Sequence, residues 1–101
     1  MKMLDSLSDW PVAKKHEKWI ESAKRVRENL QNKIKEKENI LIDMENFSIA
    51  INKTGEGDWH YDIIGDGIFE EKTDKNLDEI LFKLINSSHV NIFKLEKELE
   101  K

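Results

Sequence analysis

The chain has no cysteine, one proline, four glycines and no long apolar run among its 101 residues. The absence of cysteine excludes disulfide scaffolds, thiolate metal sites, iron–sulfur clusters and thiol nucleophiles. No apolar stretch approaches the roughly 20 residues of a membrane-spanning helix, and residues 1–10 lack the pattern of a secretory signal. We therefore expect a cytoplasmic protein, with no membrane partner, whose fold rests on packing alone.

Charged residues are abundant, at 38% of the chain, and they are unevenly distributed around a net charge of −4. Residues 11–40 contain nine basic and five acidic residues, whereas residues 42–75 contain three basic and nine acidic ones. The length fits a single domain, so we expect one domain, residues 1–101, with a mildly basic first part and an acidic middle. Lys, Asn and Ile supply 35 residues, a bias of low-GC coding that favours a bacterial or phage origin.

Residues 11–39 have the pattern of one long amphipathic helix, preceded by an N-terminal extension at residues 1–10. Pro11 suits the first helical position, and we expect the helix to end near Asn39. Residues 40–42 are all apolar and either prolong the helix or open a strand. The apolar stripe contains Val12, His16, Trp19, Ile20, Ala23, Val26, Leu30 and Ile34.

This helix is long for the domain that contains it. Its 29 residues would span about 43 Å, whereas a compact domain of 100 residues has a radius of gyration of about 13 Å. Part of the apolar stripe must therefore be covered by the C-terminal helix, by a second copy of the chain or by another protein.

Residues 46–72 alternate between apolar and polar side chains, which predicts three antiparallel strands with the third at residues 68–72. The glycines at 55–57 and at 65–67 lie between these strands, so both G-x-G sequences are predicted to be hairpin turns and not phosphate-binding loops. The aromatic residues of this segment, Phe47, Trp59 and Tyr61, share faces with isoleucines and are interpreted as core.

Residues 76–101 return to helical spacing. Asn76 and Glu79 resemble a capping box, and residues 86–88 interrupt the pattern. The predicted fold is α+β, with a long N-terminal amphipathic helix, a three-stranded antiparallel β-meander and a C-terminal helix that is kinked or divided in two.

Catalytic constellations are not apparent in the sequence. The histidines lie on different segments without metal-ligand spacing. His60 and Asp62 share one face of a strand and would chelate weakly, although the polar face of an open sheet explains them equally well. The serines lack the glycines of a nucleophile elbow, and the clustered carboxylates are typical of a solvated surface. We expect no enzyme activity, no metal and no cofactor.

The basic residues of the first helix raise the question of nucleic-acid binding. Helical projection scatters them around the cylinder and places glutamates between them, as in Glu21–Arg25 and Lys24–Glu28. This pattern favours a solvated helix surface, so a nucleic-acid partner is not expected.

The acidic strand segment favours protein recognition, because acidic and aromatic side chains together suit a protein interface. An acidic patch accelerates encounter with a basic partner, and aromatic side chains anchor it. The candidate partner-binding residues are Glu56, Asp58, His60, Asp62, Asp66, Glu70, Glu71, Trp19 and Arg25.

Residues 58–85 resemble the C-terminal half of some immunity proteins of bacterial polymorphic toxin systems. The resemblance rests on the sequence DWHYDIIGDGIFE at 58–70 and NLDEILF at 76–82. These proteins carry a Trp-bearing strand, a short Phe-bearing strand and a helix of the Leu-Glu-Glu-Ile-Leu type. The resemblance implies an acidic, non-enzymatic protein that blocks one cognate protein.

The sequence therefore predicts a small protein-binding module that inhibits or neutralises a nuclease, toxin or defence effector. An immunity protein, an antitoxin and a phage-encoded inhibitor of a bacterial defence enzyme, such as an anti-CRISPR protein, all fit. One alternative is a structural or regulatory homodimer whose first helices pair through Trp19, Val26, Leu30 and Ile34. Another is a nucleic-acid-binding regulator that uses the basic helix.

Overall fold

The computed structural model describes residues 13–101, which fold into one sheet of four strands and three helices. In chain order these elements are α1 (Ala13–Glu36), β1 (Asn39–Asp43), β2 (Phe47–Lys53), β3 (Trp59–Gly65), β4 (Ile68–Asp74), α2 (Leu77–Ile85) and α3 (Ile92–Leu99). The strands are antiparallel and lie in the order β1-β2-β3-β4. The predicted α+β class is confirmed, but the prediction of three strands was wrong. The predicted extension at residues 1–10 lies outside the described residues.

The additional strand is β1. Helix α1 ends at Glu36 and β1 begins at Asn39, so the predicted change of structure near Asn39 is confirmed. Within β1, Ile42 is buried while Leu41 is 67% exposed. Residues 40–42 are all apolar, so the sequence does not show which of them face the core. The pairing of β1 with β2 decides which side chains are buried.

The turn between β3 and β4 needs glycine at two places. Gly67 has φ +75°, in the left-handed region that favours glycine. Gly65 pairs with Phe47 on β2, and a Cβ at Gly65 would lie 2.5 Å from the carbonyl oxygen of Asn46. Both predicted hairpin turns are present, and β4 continues to Asp74, two residues beyond the predicted end of the third strand.

The core lies between one face of the sheet and the three helices. Tyr61 is buried in it, and Phe47 and Trp59 pack against its rim, which confirms the interpretation of these aromatic residues as core. The buried hydrophobic residues are Val26, Leu30, Ile34, Ile42, Ile49, Ile51, Tyr61, Ile63, Ile80, Leu81, Leu84, Ile85, Ile92, Leu95 and Leu99.

The C-terminal segment consists of two helices, one of the two forms predicted for it. Asn76 caps α2 by accepting a hydrogen bond from the backbone N–H of Asp78, and Asn91 caps α3 by accepting from Phe93 and Lys94. The chain changes direction between the two helices, and each helix begins at its own N-cap. Both helices can therefore pack against α1.

Helix α1 has 24 residues and spans about 36 Å. Its side chains at Val26, Leu30 and Ile34 are buried in the core that α1 forms with the C-terminal helices and the sheet. The chain's own helices therefore cover much of the predicted apolar stripe, while Ile20 remains 36% exposed. Val12 and the side chain of His16 lie outside the described part. Among the helices at residues 13–101, none is both long and apolar enough to span a membrane.

Candidate functional site

The helices cover one face of the sheet and leave the other face, here called the outer face, open to solvent. The side chains of a strand alternate between the two faces, so the positions opposite to the core residues form the outer face. These positions are Asn39, Leu41, Asp43, Ser48, Ala50, Asn52, His60, Asp62, Ile64, Phe69, Glu71 and Thr73. They include three carboxylates and, within the four strands, no lysine or arginine.

Three large apolar side chains of the outer face are exposed to solvent. Leu41 is 67%, Ile64 53% and Phe69 66% exposed. Ile64 and Phe69 are directly opposite each other on β3 and β4, and Leu41 is opposite Ala50 on β1 and β2. Neighbouring strands are about 4.8 Å apart, so Leu41 on β1 and Phe69 on β4 are separated by about 14 Å across the width of the sheet. Exposed apolar side chains on one face make this face the candidate interaction surface.

A polar cluster lies beside the apolar pairs. The Nε2 atom of His60 is 2.9 Å from Oδ1 of Asp62, and its Nδ1 atom is 2.7 Å from Oγ1 of Thr73. Glu71 is directly opposite Asp62 on β4, and one ligand atom from each of His60, Asp62 and Glu71 lies within 4.8 Å of the other two. Of the nine candidate partner-binding residues, the structure brings these three together on the outer face.

Three further candidates lie in turns at the two ends of the sheet. Glu56 and Asp58 belong to the turn between β2 and β3, and Asp66 belongs to the turn between β3 and β4. The register of β2 and β3 places these turns at opposite ends of the strands. They extend the acidic character of the sheet but do not join the polar cluster.

Glu70 lies on the inner side of β4 and makes contacts within the chain. Tyr61 donates a hydrogen bond from its hydroxyl to Glu70, and Ser87 donates a second one at 2.7 Å. Burial by itself would raise the pKa of Glu70, but the two hydrogen bonds outweigh it and lower this pKa below its usual range. Burial and the same contact raise the pKa of Tyr61. This arrangement ties β3 and β4 to the segment after α2.

Trp19 and Arg25 lie on α1, away from the outer face. Arg25 forms an ion pair with Glu96 of α3, and this hydrogen bond raises the pKa of Arg25 and lowers that of Glu96. Trp19 lines a groove of about 320 Å³ between α1 and α2, together with Ile20 and Phe82. These two candidates thus belong to the helical side of the protein.

The sequence prediction missed four residues of the outer face: Leu41, Ile64, Phe69 and Thr73. A usable signal existed for the last three. If Gly65 and Ile68 close a two-residue turn, the antiparallel register that follows pairs Ile64 with Phe69 and His60 with Thr73. Leu41 gave no comparable signal, because residues 40–42 have no period.

Comparison with known proteins gives no match among protein-family models, curated proteins or solved structures.

Proposed function

We propose that this protein is a small, acidic, non-enzymatic binding module whose outer face docks on a basic surface of another protein and blocks it. The observation that carries the proposal is that the outer-face positions of the described strands combine three exposed apolar side chains, Leu41, Ile64 and Phe69, with three carboxylates and hold no lysine or arginine. The lysines of these strands, Lys53 and Lys72, are at positions of the opposite face. The apolar side chains provide desolvated contact area, and the carboxylates select the charge of the partner.

The charge of the sheet favours a partner with exposed lysine and arginine. Residues 42–75 contain nine acidic and three basic residues, and the turns at both ends of the strands add carboxylates to those of the outer face. Such a field raises the association rate with a basic surface and weakens as salt increases. Nucleases, toxins and defence effectors that act on nucleic acid present surfaces of this kind.

The side chains of the outer face favour binding over catalysis. Ser48 carries the one serine hydroxyl on this face, and it donates to Asp43 at 2.9 Å instead of contacting a histidine. His60 contacts the hydroxyl of Thr73 at 2.7 Å and the carboxylate of Asp62 at 2.9 Å, but these three side chains lie on the face of a sheet and not in the concave pocket that a catalytic site usually occupies. An inhibitor of the immunity-protein, antitoxin or phage-encoded type needs no such chemistry, and the resemblance of residues 58–85 to immunity proteins supports the first of these.

A homodimer is the second candidate, and the groove between α1 and α2 favours a particular form of it. Val26, Leu30 and Ile34 are buried within the chain, so pairing would use the groove at Trp19 and Phe82. One wall of the groove carries Lys24 and Arg27, and the other carries Asp78 and Glu79. A two-fold axis would bring the basic wall of one copy to the acidic wall of the other.

Two exposed phenylalanines of similar accessibility separate these candidates. Phe69 on the outer face is 66% exposed and Phe82 in the groove is 63% exposed. The tagged protein and its Phe69→Ser and Phe82→Ser variants would each be used to capture partners from the source cell, with quantification by mass spectrometry. We expect one stoichiometric protein with the unchanged chain and with Phe82→Ser, and its loss with Phe69→Ser. Retention by Phe69→Ser together with loss by Phe82→Ser would contradict the proposal.

Inhibition is then measured on the captured protein. Titration of the unchanged chain is expected to block its activity at a ratio of one to one. Loss of an anchoring aromatic side chain costs about 2 kcal/mol, so Phe69→Ser should raise the inhibition constant about 30-fold. Full activity of the partner in the presence of excess unchanged chain would contradict the inhibitory role.

A further inference from the structure

Three side chains of the polar cluster, one histidine and two carboxylates, are of the types that bind metal ions and lie close together. His60 and Asp62 are two residues apart on β3 and share the outer face, and Glu71 is directly opposite Asp62 on β4. Their ligand atoms lie within 4.8 Å of one another. In a tetrahedral site with metal–ligand bonds of about 2.0–2.2 Å the ligand atoms lie about 3.3–3.6 Å apart, so the most distant atom must approach by up to about 1.5 Å. Rotation of the exposed Glu71 side chain can supply this movement.

We infer that His60, Asp62 and Glu71 form a binding site for one divalent transition-metal ion on the outer face. One imidazole nitrogen and two carboxylate oxygens suit zinc and the neighbouring first-row ions better than magnesium or calcium, which prefer oxygen ligands alone. Three protein ligands leave at least one coordination position for water or for a donor group of another molecule. The site goes beyond the proposed function and does not depend on a protein partner.

Thr73 holds the imidazole in the orientation that the ion requires. Its hydroxyl contacts Nδ1 of His60, which leaves Nε2 directed at Asp62. A carboxylate only accepts, so in the metal-free protein Nε2 donates to Asp62 and the Thr73 hydroxyl donates to Nδ1. A metal ion at Nε2 would move this proton to Nδ1, where the Thr73 hydroxyl can turn to accept it. Metal-binding histidines ordinarily have such a partner on the second ring nitrogen.

The charge around the cluster favours a cation. Asp62 and Glu71 are directly opposite each other on adjacent strands, an arrangement that is destabilising for like charges. The outward positions of the four described strands hold no lysine or arginine that would compensate for it. Asn52, opposite His60 on β2, adds a buried Oδ1 that accepts no hydrogen bond from the described residues. A divalent ion would neutralise the two carboxylates of the cluster.

Isothermal titration calorimetry of the full chain with Zn²⁺ tests the site. Each variant of a proposed ligand is paired with a control variant that makes the same substitution outside the cluster. His60→Gln and Glu71→Gln each remove one ligand, whereas His89→Gln and Glu79→Gln change exposed residues outside the cluster. We expect one ion per chain, affinity at least about 10-fold weaker in the first two variants, and unchanged affinity in the two controls. Mg²⁺ and Ca²⁺ are expected to compete only weakly.

A second readout identifies the ligand atom. Addition of Zn²⁺ should shift the ¹⁵N resonance of Nε2 of His60, and circular dichroism should show that each variant keeps its fold. If His60→Gln fails to fold, Glu71→Gln decides, because its side chain is exposed on β4. No heat of binding at millimolar Zn²⁺ would overturn the inference. So would equal affinity in all four variants, which indicates an adventitious ion only, or preferential binding of Mg²⁺ or Ca²⁺.

Discussion

Replacing Tyr61 by Phe is expected to destabilise the protein by about 2 kcal/mol at neutral pH. The Tyr61 hydroxyl donates a hydrogen bond to the carboxylate of Glu70, and Ser87 donates the second one. A hydrogen bond to a charged group contributes about 1.5–3 kcal/mol, and the substitution keeps the ring in the core while it removes this one bond. For a domain of this size the loss corresponds to a melting temperature about 8–16 °C lower.

The dependence of this loss on pH follows from the lowered pKa of Glu70. Burial opposes the ionised form, but the hydrogen bonds from Tyr61 and Ser87 prevail, so the folded pKa lies below the unfolded value of about 4.3. The stability contribution is therefore fully present above about pH 4.3, and it is lost as pH falls through the folded pKa. The raised pKa of Tyr61 keeps its hydroxyl protonated over this range.

The assay is urea-induced unfolding followed by circular dichroism at several pH values between about 3.5 and 7, for the unchanged chain and for Tyr61→Phe. The difference in unfolding free energy should be constant above about pH 5 and should shrink toward the acid end. Ser87 donates to the same carboxylate, so the loss of unfolding free energy in Ser87→Ala should depend on pH in the same way. We expect this loss to be smaller than that of Tyr61→Phe. A difference below about 0.5 kcal/mol at neutral pH, or one that does not shrink in acid, would contradict a stabilising hydrogen bond from Tyr61 to the ionised Glu70.

Three further predictions concern stability, each measured by urea unfolding. Gly65→Ala should cost about 1–3 kcal/mol because its Cβ meets backbone at 2.5 Å, whereas Gly55→Ala, with nothing within 4 Å, should be neutral or slightly stabilising; equal effects would contradict the close approach. Leu30→Ala should cost about 2–5 kcal/mol, against less than about 0.5 kcal/mol for the exposed Leu41→Ala, and a reversed order would contradict the assignment of the core. Asn91→Ala should cost about 1 kcal/mol through loss of the cap of α3, and an unchanged midpoint would argue against that cap.

Much of the fold was predictable because its signals are local. The apolar stripe from Trp19 to Ile34, the turn glycines and the cap at Asn76 each have a short-range pattern, and the structure confirms the elements they predict. Strand β1 was not predicted as a fourth strand, because residues 40–42 are apolar without alternation. Only the pairing with β2, which is a tertiary contact, decides between a continued helix and a strand.

The register of β4 with β3 determines which residues of β4 lie on the outer face. Strand β4 is at the edge of the sheet, where its inner side only borders the core. Glu70 lies on this inner side and contacts Tyr61 and Ser87, whereas Phe69 lies on the outer face. The usual rule that apolar residues face the core would place Phe69 inside and Glu70 outside, which is the reverse of the structure. The polar cluster was partly accessible, since His60 and Asp62 share a face by strand period, but Glu71 joins them only through the register of β3 and β4.

Photo-crosslinking in the source cell tests whether the outer face is the surface that binds the partner. A benzoylphenylalanine would replace Phe69 in one variant and Phe82 in another, two positions that are 66% and 63% exposed on different sides of the protein. We expect one covalent adduct with a heterologous protein from position 69, competed by excess unlabelled chain, and none from position 82. An adduct from position 82 alone, or crosslinks only between copies of the chain, would contradict the outer face as the binding surface.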